Sequence, residues 1–404
     1  MAINDLTYTD VSAILADINS QATGRAVLAP TNTADFVALA QTTLKMGYDV
    51  VTNAISQVLS RTIFSIRPYD RKFRGLEADA IRFGNHVRKI NYIDDDPEAD
   101  GQYLAATFTD GSSVDPWIVN KKKVVQTNFY GQTGYSRHRT YYRSQLDMAF
   151  RSADELASFW AGVTQHDSDM IEKDHEEFAR AALANLIGGA YLQDAASPAI
   201  ADGKVIHLLT EYNSWSGESL TALTVYNPQN FEGFARWLFG RLETLSKSLA
   251  ERSSLYHQTF DDGNGNDLRL ERHTPAARQR IYMNVDPMNQ IAANVLSTTY
   301  NTEYLRMAQR EDVSFWQNIK DPLSIDVVAG YTDKTGAVQS AAAQLSKIVF
   351  GVIFDEEACG YTVTDTWTMA TPMNARGGYW NQWYHYTDRY WNDFTENSVV
   401  LLLD

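Results

Sequence analysis

The segment from 152 to 188 constrains the fold of this chain most, because it predicts one exceptionally long helix. Ser152 to Glu155 have the pattern of a capping box at its start, and Gly188-Gly189 predicts its end. Apolar residues recur at helical spacing between these ends: Leu156, Phe159, Trp160, Val163, Met170, Ile171, Phe178, Ala182 and Leu186. At about 1.5 Å per residue, the helix is roughly 55 Å long. A rod of this length predicts an elongated molecule built on a spine helix.

The segments on either side of this helix predict a mixture of helices and strands. Before it, residues 10–20 and about 34–60 show helical spacing. After it, predicted strands at 204–209, 280–285, 324–329 and 347–354 alternate with predicted helices at 230–253, 288–300 and 339–346. We therefore predict an α+β fold class, in which the part after residue 190 forms a mixed α/β domain.

Charge is distributed along the chain in blocks of opposite sign. Residues 61–89 carry a net charge of +5 and residues 121–151 one of +6, whereas residues 152–177 carry −7. Residues 91–115 contain seven acidic residues, no basic residue, and proline and glycine, which predicts a projecting loop or hairpin. The blocks are either separate solvated surfaces or complementary contacts between subunits. The candidates for contacts between subunits are Asp94, Asp95, Asp96, Glu98, Asp100, Lys121, Lys122 and Lys123.

Composition limits the partners that this chain can bind. The formal net charge is −15 at pH 7, so any contact with a phosphate backbone is expected to be weak and local. The one cysteine, Cys359, excludes an internal disulfide bond and a zinc site with several cysteines. No stretch approaches 18 apolar residues, and we therefore predict no membrane-spanning segment and no membrane partner.

The short motifs that could carry chemistry are weak. Glu172 and His175 have the spacing found in di-iron helices, but the chain has no second such motif, which favours a solvated acidic face. Residues 261–267 resemble a calcium loop only in composition, and Asn264-Gly265 favours a hairpin turn instead. The chain contains neither a glycine-rich phosphate loop nor a Gly-x-Ser-x-Gly elbow. We predict no catalytic residue, no metal site and no cofactor.

An aromatic segment lies near the C-terminus, where NARGGYWNQWYHYTDRYWNDF (374–394) has eight aromatic residues in 21. A sugar-binding platform, a surface that stacks nucleic-acid bases and a packed core are its three possible roles. In a strand, aromatic side chains would lie on both faces, whereas a platform exposes one face. A stacking surface also needs more Lys and Arg than this segment has. We therefore predict that it is structural core, formed by Tyr379, Trp380, Trp383 and Tyr384.

The same segment resembles a known family. Residues 374–381 and the following Tyr384-His385 are similar to the C-terminal signature of major capsid proteins from short-tailed double-stranded DNA bacteriophages. In that signature an Asn-Pro-basic-Gly turn leads into an aromatic strand and a last apolar strand. Ala375 here replaces the proline, and Gly378 replaces an apolar residue. The acidic turn at 354–360 is also similar, and the resemblance covers about 50 residues.

The resemblance implies the Hong Kong 97-like capsid fold, also called the Johnson fold. Its parts map onto this chain in order, as an N-terminal arm with helices at 1–60, a peripheral domain at 61–189 and an axial mixed α/β domain at 190–404. The peripheral domain would contain an extended loop at about 75–125 and the spine helix at 152–188.

The function that the resemblance implies is structural rather than enzymatic. Many copies of the chain would assemble in the host cytoplasm, as pentamers and hexamers, into a virion capsid that encloses double-stranded DNA. Scaffolding, portal and decoration proteins are its possible further partners. Two alternatives stay open: an encapsulin-like nanocompartment shell, which shares the fold, and a carbohydrate-binding or carbohydrate-active α/β protein.

Overall fold

The computed structural model describes Ala16 and residues 69–78, 86–93, 117, 122–131, 133–142, 153–196, 200–262, 267–268, 270–296 and 310–404. The chain forms two compact units, one of residues 1–68 with 150–169 and one of residues 69–149 with 170–404. Apart from Ala16, which is helical and buried, the predicted helices and arm within residues 1–60 lie outside the described residues.

The described elements alternate between helices and strands, as the sequence predicts. The helices are α1 (Ala153–Ala195), α2 (Leu208–Ser216), α3 (Pro228–Ala250) and α4 (Val285–Leu296). The strands are β1 (His86–Tyr92), β2 (Val124–Tyr130), β3 (Thr133–Tyr142), β4 (Val205–His207), β5 (Phe260–Asp261), β6 (Asp267–Leu268), β7 (Gln279–Asn284), β8 (Arg310–Val313), β9 (Ile325–Thr332), β10 (Val338–Leu345), β11 (Val349–Asp355), β12 (Cys359–Ala370), β13 (Tyr379–Asn392) and β14 (Ser398–Leu402).

Helix α1 is continuous over 43 residues, which confirms the predicted long helix but not its predicted end. Gly188 and Gly189 lie inside the helix rather than stopping it. A Cβ on Gly188 would lie 3.0 Å from Val327 of β9, and one on Gly189 would lie 2.5 Å from the ring of Phe394. These glycines therefore allow close packing. No helix in the described part of the chain is long and apolar enough to cross a membrane.

A five-stranded sheet in the order β4-β14-β11-β7-β8 forms the centre of the larger unit. The pairs β14–β11 and β11–β7 are antiparallel, whereas the outer pairs β4–β14 and β7–β8 are parallel. Every residue of β11 and β14 is buried. Val352, Val400 and Leu402 pack in one hydrophobic cluster with the second half of α1. Ile353, Val399 and Leu401 pack in a second cluster with α2, α3 and α4. The sheet is thus covered on both faces.

A second sheet has three antiparallel strands in the order β12-β13-β3. The aromatic segment is its central strand, β13. The sheet joins residues 359–392 to residues 133–142, and so the predicted boundary at 189/190 does not follow the sheets. The long hairpin of β12 and β13 belongs with β3, although it lies between the sequences of two strands of the five-stranded sheet.

Two predicted elements differ in the structure. Residues 339–346 were expected to be helical, because VQSAAAQL is rich in good helix formers, but residues Val338–Leu345 form β10. Strand β10 pairs along its whole length with β9, and Ala343 and Leu345 are buried. Tertiary pairing therefore outweighs local propensity. The strand predicted at 204–209 ends at His207, where α2 begins.

The residues on both sides of the predicted Asn264-Gly265 turn pair as the turn requires. Phe260 lies opposite Leu268, and Asp261 lies opposite Asp267, in the antiparallel pair β5–β6. The central residues 263–266 are outside the described part of the chain.

Candidate intersubunit site

The base of the predicted extended loop is the antiparallel pair β1–β2, in which Tyr92 lies opposite Val124. Ile93 N donates a hydrogen bond to Lys123 O at 3.1 Å, which extends the β1–β2 pairing by one residue at the base of the loop. Lys122 and Lys123 are exposed at its return. The other contact candidates, Asp94, Asp95, Asp96, Glu98, Asp100 and Lys121, lie outside the described residues, so their role stays a prediction.

A cluster of charges attaches β1 to the connection between β13 and β14. Lys89 Nζ lies 2.7 Å from Asp393 Oδ2, 2.5 Å from Glu396 Oε1 and 3.3 Å from Glu357 Oε2. Arg272 Nη2 lies 3.3 Å from Glu396 Oε1. Burial alone would lower the pKa of Lys89, but the charges of Asp393 and Glu396 outweigh burial and raise it. The base of the loop is therefore attached by half-buried ion pairs, which sequence spacing does not reveal.

Two acidic residues of α1, Glu172 and Asp174, pair with basic residues of the same chain. If the charge blocks met between subunits, the acidic residues at 152–177 would pair with the basic blocks of another copy. Arg71 Nη1 instead lies 3.3 Å from Glu172 Oε2, and Arg137 Nη2 lies 2.6 Å from Asp174 Oδ1. Arg71 belongs to the basic block at 61–89 and Arg137 to the one at 121–151. The acidic residues therefore do pair with these basic blocks, but within one chain rather than between subunits. The pairing is intramolecular because α1 packs on the strand that carries Arg137.

Glu176 and Asp174 keep their charge despite partial burial. Burial raises the pKa of Glu176, but hydrogen bonds from Tyr69 Oη, the Arg180 side chain and Lys72 N lower it by more. Burial likewise raises the pKa of Asp174, and hydrogen bonds from Arg137 and Tyr386 reverse that shift. This face of α1 therefore packs through charge-assisted hydrogen bonds.

Glu172 and His175, which have the spacing of a metal-binding motif, each lie beside a charged side chain of the same chain. Glu172 faces Arg71, and His175 Nδ1 lies 3.0 Å from Asp388 Oδ2 of β13. Among the residues that the structure describes, no group of three or more His, Cys, Asp or Glu side chains could hold a metal ion.

The four aromatic residues predicted as core are only half-buried. Tyr379, Trp380, Trp383 and Tyr384 are all on β13, and none is among the buried residues of the two hydrophobic clusters. The fully buried aromatic residue of β13 is Tyr386, which is 3% exposed and donates a hydrogen bond to Asp174 Oδ2 at 2.5 Å. Trp380 and Tyr384 share the face of Tyr386, whereas Tyr379 and Trp383 lie on the opposite face. The structure therefore differs from our expectation in degree of burial.

The two faces of the three-stranded sheet differ in their side chains. The inner face carries Tyr386 and Tyr135, whose rings stack on each other at 5.6 Å, and Tyr135 stacks on Phe178 of α1 at 4.5 Å. The outer face carries a row of stacked rings across all three strands. Trp367 stacks on His385 at 3.8 Å, His385 lies 6.1 Å from Trp383, and Trp383 stacks on His138 at 4.6 Å.

The turn in the motif that resembles capsid proteins forms the tip of the β12–β13 hairpin. Asn374 Oδ1 accepts hydrogen bonds from Arg376 N and Gly377 N, both at 3.0 Å. Gly378 has a φ of +59°, a conformation that favours glycine over the apolar residue found in the family signature. The acidic turn at 355–358 is held by Arg278, whose side chain lies within 3.3 Å of Asp355, Glu356 and Glu357.

Comparison with known proteins gives one consistent result. A family model described as Phi29-like phage major capsid protein matches residues 11–402. A chain from the capsid structure of Staphylococcus phage Andhra is 10% identical, with a TM-score of 0.51 over 85% of this chain and 87% of that chain. A chain from the structure of head fiber and inner core protein gp22 of native bacteriophage P68 is also 10% identical, with a TM-score of 0.53 and the same coverage. No curated protein matches.

Proposed function

The chain belongs to the family of Phi29-like phage major capsid proteins, and from this premise we propose how its copies build a shell. It is a structural protein with the Hong Kong 97-like fold, and many copies of it form the shell of a phage virion. We propose that the copies group as pentamers and hexamers, assemble in the host cytoplasm, enclose double-stranded DNA and act without catalysis. The match over residues 11–402 is the observation that carries this proposal.

The net charge of −15 supports a shell that holds DNA without binding it tightly. Each phosphate that a protein neutralises adds affinity, and tight binding would oppose the movement of DNA into and out of the shell. We propose that scaffolding, portal and decoration proteins are further partners. Neither an encapsulin-like compartment nor a carbohydrate-binding protein is supported by the family match.

Expression of the chain followed by light scattering and electron microscopy tests this function. We expect closed particles of one or two sizes, together with free capsomers. A chain that stays monomeric at low and high salt, and in the presence of a crowding agent, would contradict the proposal.

We propose that the extended loop contacts a neighbouring copy through its acidic residues. The support for this proposal is at the base of the loop, where the Lys89 ion pairs and the hydrogen bond from Ile93 N to Lys123 O hold β1 and β2 in place. Changing Asp94, Asp95 and Asp96 together to Lys should reduce particle yield while leaving the circular dichroism spectrum unchanged. The matched control changes Glu218, Glu251 and Asp326, which are all exposed, to Lys. Equal yields from the two triple variants would exclude a specific role for the loop charges.

A further inference from the structure

The outer face of the three-stranded sheet is rich in aromatic rings and almost uncharged, although 21% of the chain is Asp, Glu, Lys or Arg. The face is formed by alternate residues of three stretches, from Ser136 to Tyr142 on β3, from Tyr379 to Thr387 on β13 and from Asp365 to Met369 on β12. Asp365 is the one Asp, Glu, Lys or Arg residue among them. Trp367 is 44% exposed and Met369 is 61% exposed. Trp, Tyr and Met side chains with few charges among them are typical of the centre of a protein interface.

The size of this face indicates what kind of contact it can make. Three strands spaced at about 4.8 Å and seven residues of about 3.4 Å each give roughly 300 Å². Exposed apolar patches of that size on a single chain are often functional. A stable pair of proteins, however, needs about 800 Å² on each partner. This face is therefore too small to hold two free chains together, but it suits one of several contacts that each copy makes in a shell.

We propose that this outer face packs against the same face of a second copy in the shell, with the strands of the two sheets running in opposite directions. The proposal rests on the shell-forming function given above. A chain with a net charge of −15 repels its copies, and a face without charges is where two copies approach at the lowest electrostatic cost. Contact of one patch with itself about a two-fold axis is the commonest arrangement in symmetric assemblies.

The charges at the two ends of the face select the antiparallel arrangement. Asp365 lies at the end of the face near the body of the sheet, and Arg376 lies at the hairpin tip. A two-fold axis across the strands would bring Asp365 of each copy toward Arg376 of the other and would place β12 over β12. A two-fold axis along the strands would instead place β12 over β3, with both Asp365 residues at one end of the contact and both Arg376 residues at the other, where no opposite charge faces them.

Charge substitution at Met369 tests the proposal, because this residue lies near the middle of β12 and close to the inferred axis. Met369→Glu and Met369→Lys should each lower particle yield at least tenfold, because each places two like charges face to face. Thr368→Glu is the matched control, since Thr368 is the exposed neighbour on the opposite side of the same strand. It should assemble like the natural chain. Mixing equal amounts of the Met369→Glu and Met369→Lys chains should restore particles.

The outcomes separate failure of this inference from failure of the proposed function. If the natural chain forms no particles, the proposed function is wrong. If the natural chain forms particles and Met369→Glu does so equally well, the outer face is not a contact. If both single variants fail and their mixture fails too, the face meets something other than itself, and the proposal is overturned.

Cross-linking gives a second test that does not depend on loss of assembly. Cys359 is the one cysteine of the chain and is buried, which raises the pKa of its thiol to about 12 and leaves it unreactive. In particles, Met369→Cys should form covalent dimers with a short bis-maleimide, whereas Thr368→Cys should stay monomeric. Equal cross-linking of both variants, or of neither, would overturn the proposal.

Discussion

The five-stranded and the three-stranded sheet lie in the same compact unit, yet they bury their residues differently. In β14 all five residues are buried, and in β11 all seven are. In β13, which contains most of the aromatic residues of its segment, three of 14 residues are buried and the rest are half-buried. The five-stranded sheet has apolar layers on both faces, whereas α1 covers only the inner face of the three-stranded sheet.

This difference shows that aromatic density and depth of burial are separate properties. Val, Ile, Leu and Phe make up most of β11 and β14, because a polar side-chain atom in a strand that is covered on both faces is kept from water. Tyr, Trp and His fill β13 because each has an apolar ring with a polar atom at its edge. Such side chains can pack on one side and remain in contact with water, or with a partner, on the other.

The charged side chains near the two sheets also differ in their partners. At the three-stranded sheet, Arg137 and Asp174 stay charged because each supplies the other with a partner. Beside the five-stranded sheet, Lys204 is fully buried, and its Nζ donates to two neutral acceptors, Gln193 Oε1 at 2.9 Å and Phe394 O at 3.2 Å. Burial lowers the pKa of Lys204 to about 7, although Asp393 opposes that shift.

The largest effect is expected in the five-stranded sheet, at Phe354→Ala. Phe354 is fully buried in β11, and its ring stacks on Tyr282 at 5.7 Å. Loss of a buried aromatic ring should lower the free energy of unfolding by about 3–5 kcal/mol, as measured by urea denaturation of the unassembled chain. Met369→Ala, on the open face of the three-stranded sheet, should change it by about 0.5 kcal/mol or less. Similar losses for the two variants would contradict the contrast between the sheets.

The next effect is a dependence of stability on pH that arises from Lys204. Its folded pKa of about 7 lies below the unfolded value of 10.5, so the unfolded chain binds more protons between these values. Stability should therefore rise with pH across this window, by up to about 1.4 kcal/mol per unit, or roughly 2–3 kcal/mol between pH 7 and 9. Lys204→Met should remove this rise, whereas Lys320→Met at an exposed site should keep it. A rise that persists in Lys204→Met would assign it to another group.

Trp383→Ala should have an intermediate effect, because Trp383 is half-buried on the outer face. Half of the usual penalty for a core aromatic residue is about 1.5–2.5 kcal/mol in the unassembled chain. A second copy over the outer face would bury the ring further, so the variant should weaken assembled particles more than the free chain. Denaturant titration of both forms measures the two losses. A loss above about 4 kcal/mol in the free chain would mean that Trp383 is core without any partner.

The smallest effect is expected at the ion pair on the inner face, in Asp174→Asn. Replacing a half-buried, charged acceptor of Arg137 and Tyr386 should cost about 1–2 kcal/mol at pH 7. Because the folded pKa of Asp174 lies below its unfolded value, this stability is present above about pH 4 and is lost as the pH falls further. The difference from the natural chain should therefore shrink in acid. Glu177→Gln, in an exposed pair with Lys173, should cost less than about 0.5 kcal/mol.

The sequence alone indicates the elements whose evidence is local. The apolar stripe predicts α1, and the alternation of apolar runs with turns predicts β7, β11 and helices α3 and α4 close to their observed bounds. The motif around Asn374 identifies the family, because its turn and the aromatic strand that follows lie together in the chain. Residue type and spacing are sufficient for these elements, since each depends on neighbours within a few positions.

Contacts between residues that are distant in the sequence could not be predicted from local patterns and became visible only in the tertiary structure. Gly188 and Gly189 have the composition of a helix end, but the approach of β9 and Phe394 places them inside α1. VQSAAAQL has the propensity of a helix and becomes β10 because β9 pairs with it along its length. The outer aromatic row unites residues more than 200 positions apart, such as His138 and Trp383, and no local pattern specifies which strands pair. Local sequence determines which helices and strands can form. Burial and strand pairing depend on the whole chain, and they determine what packs against each face of those helices and strands.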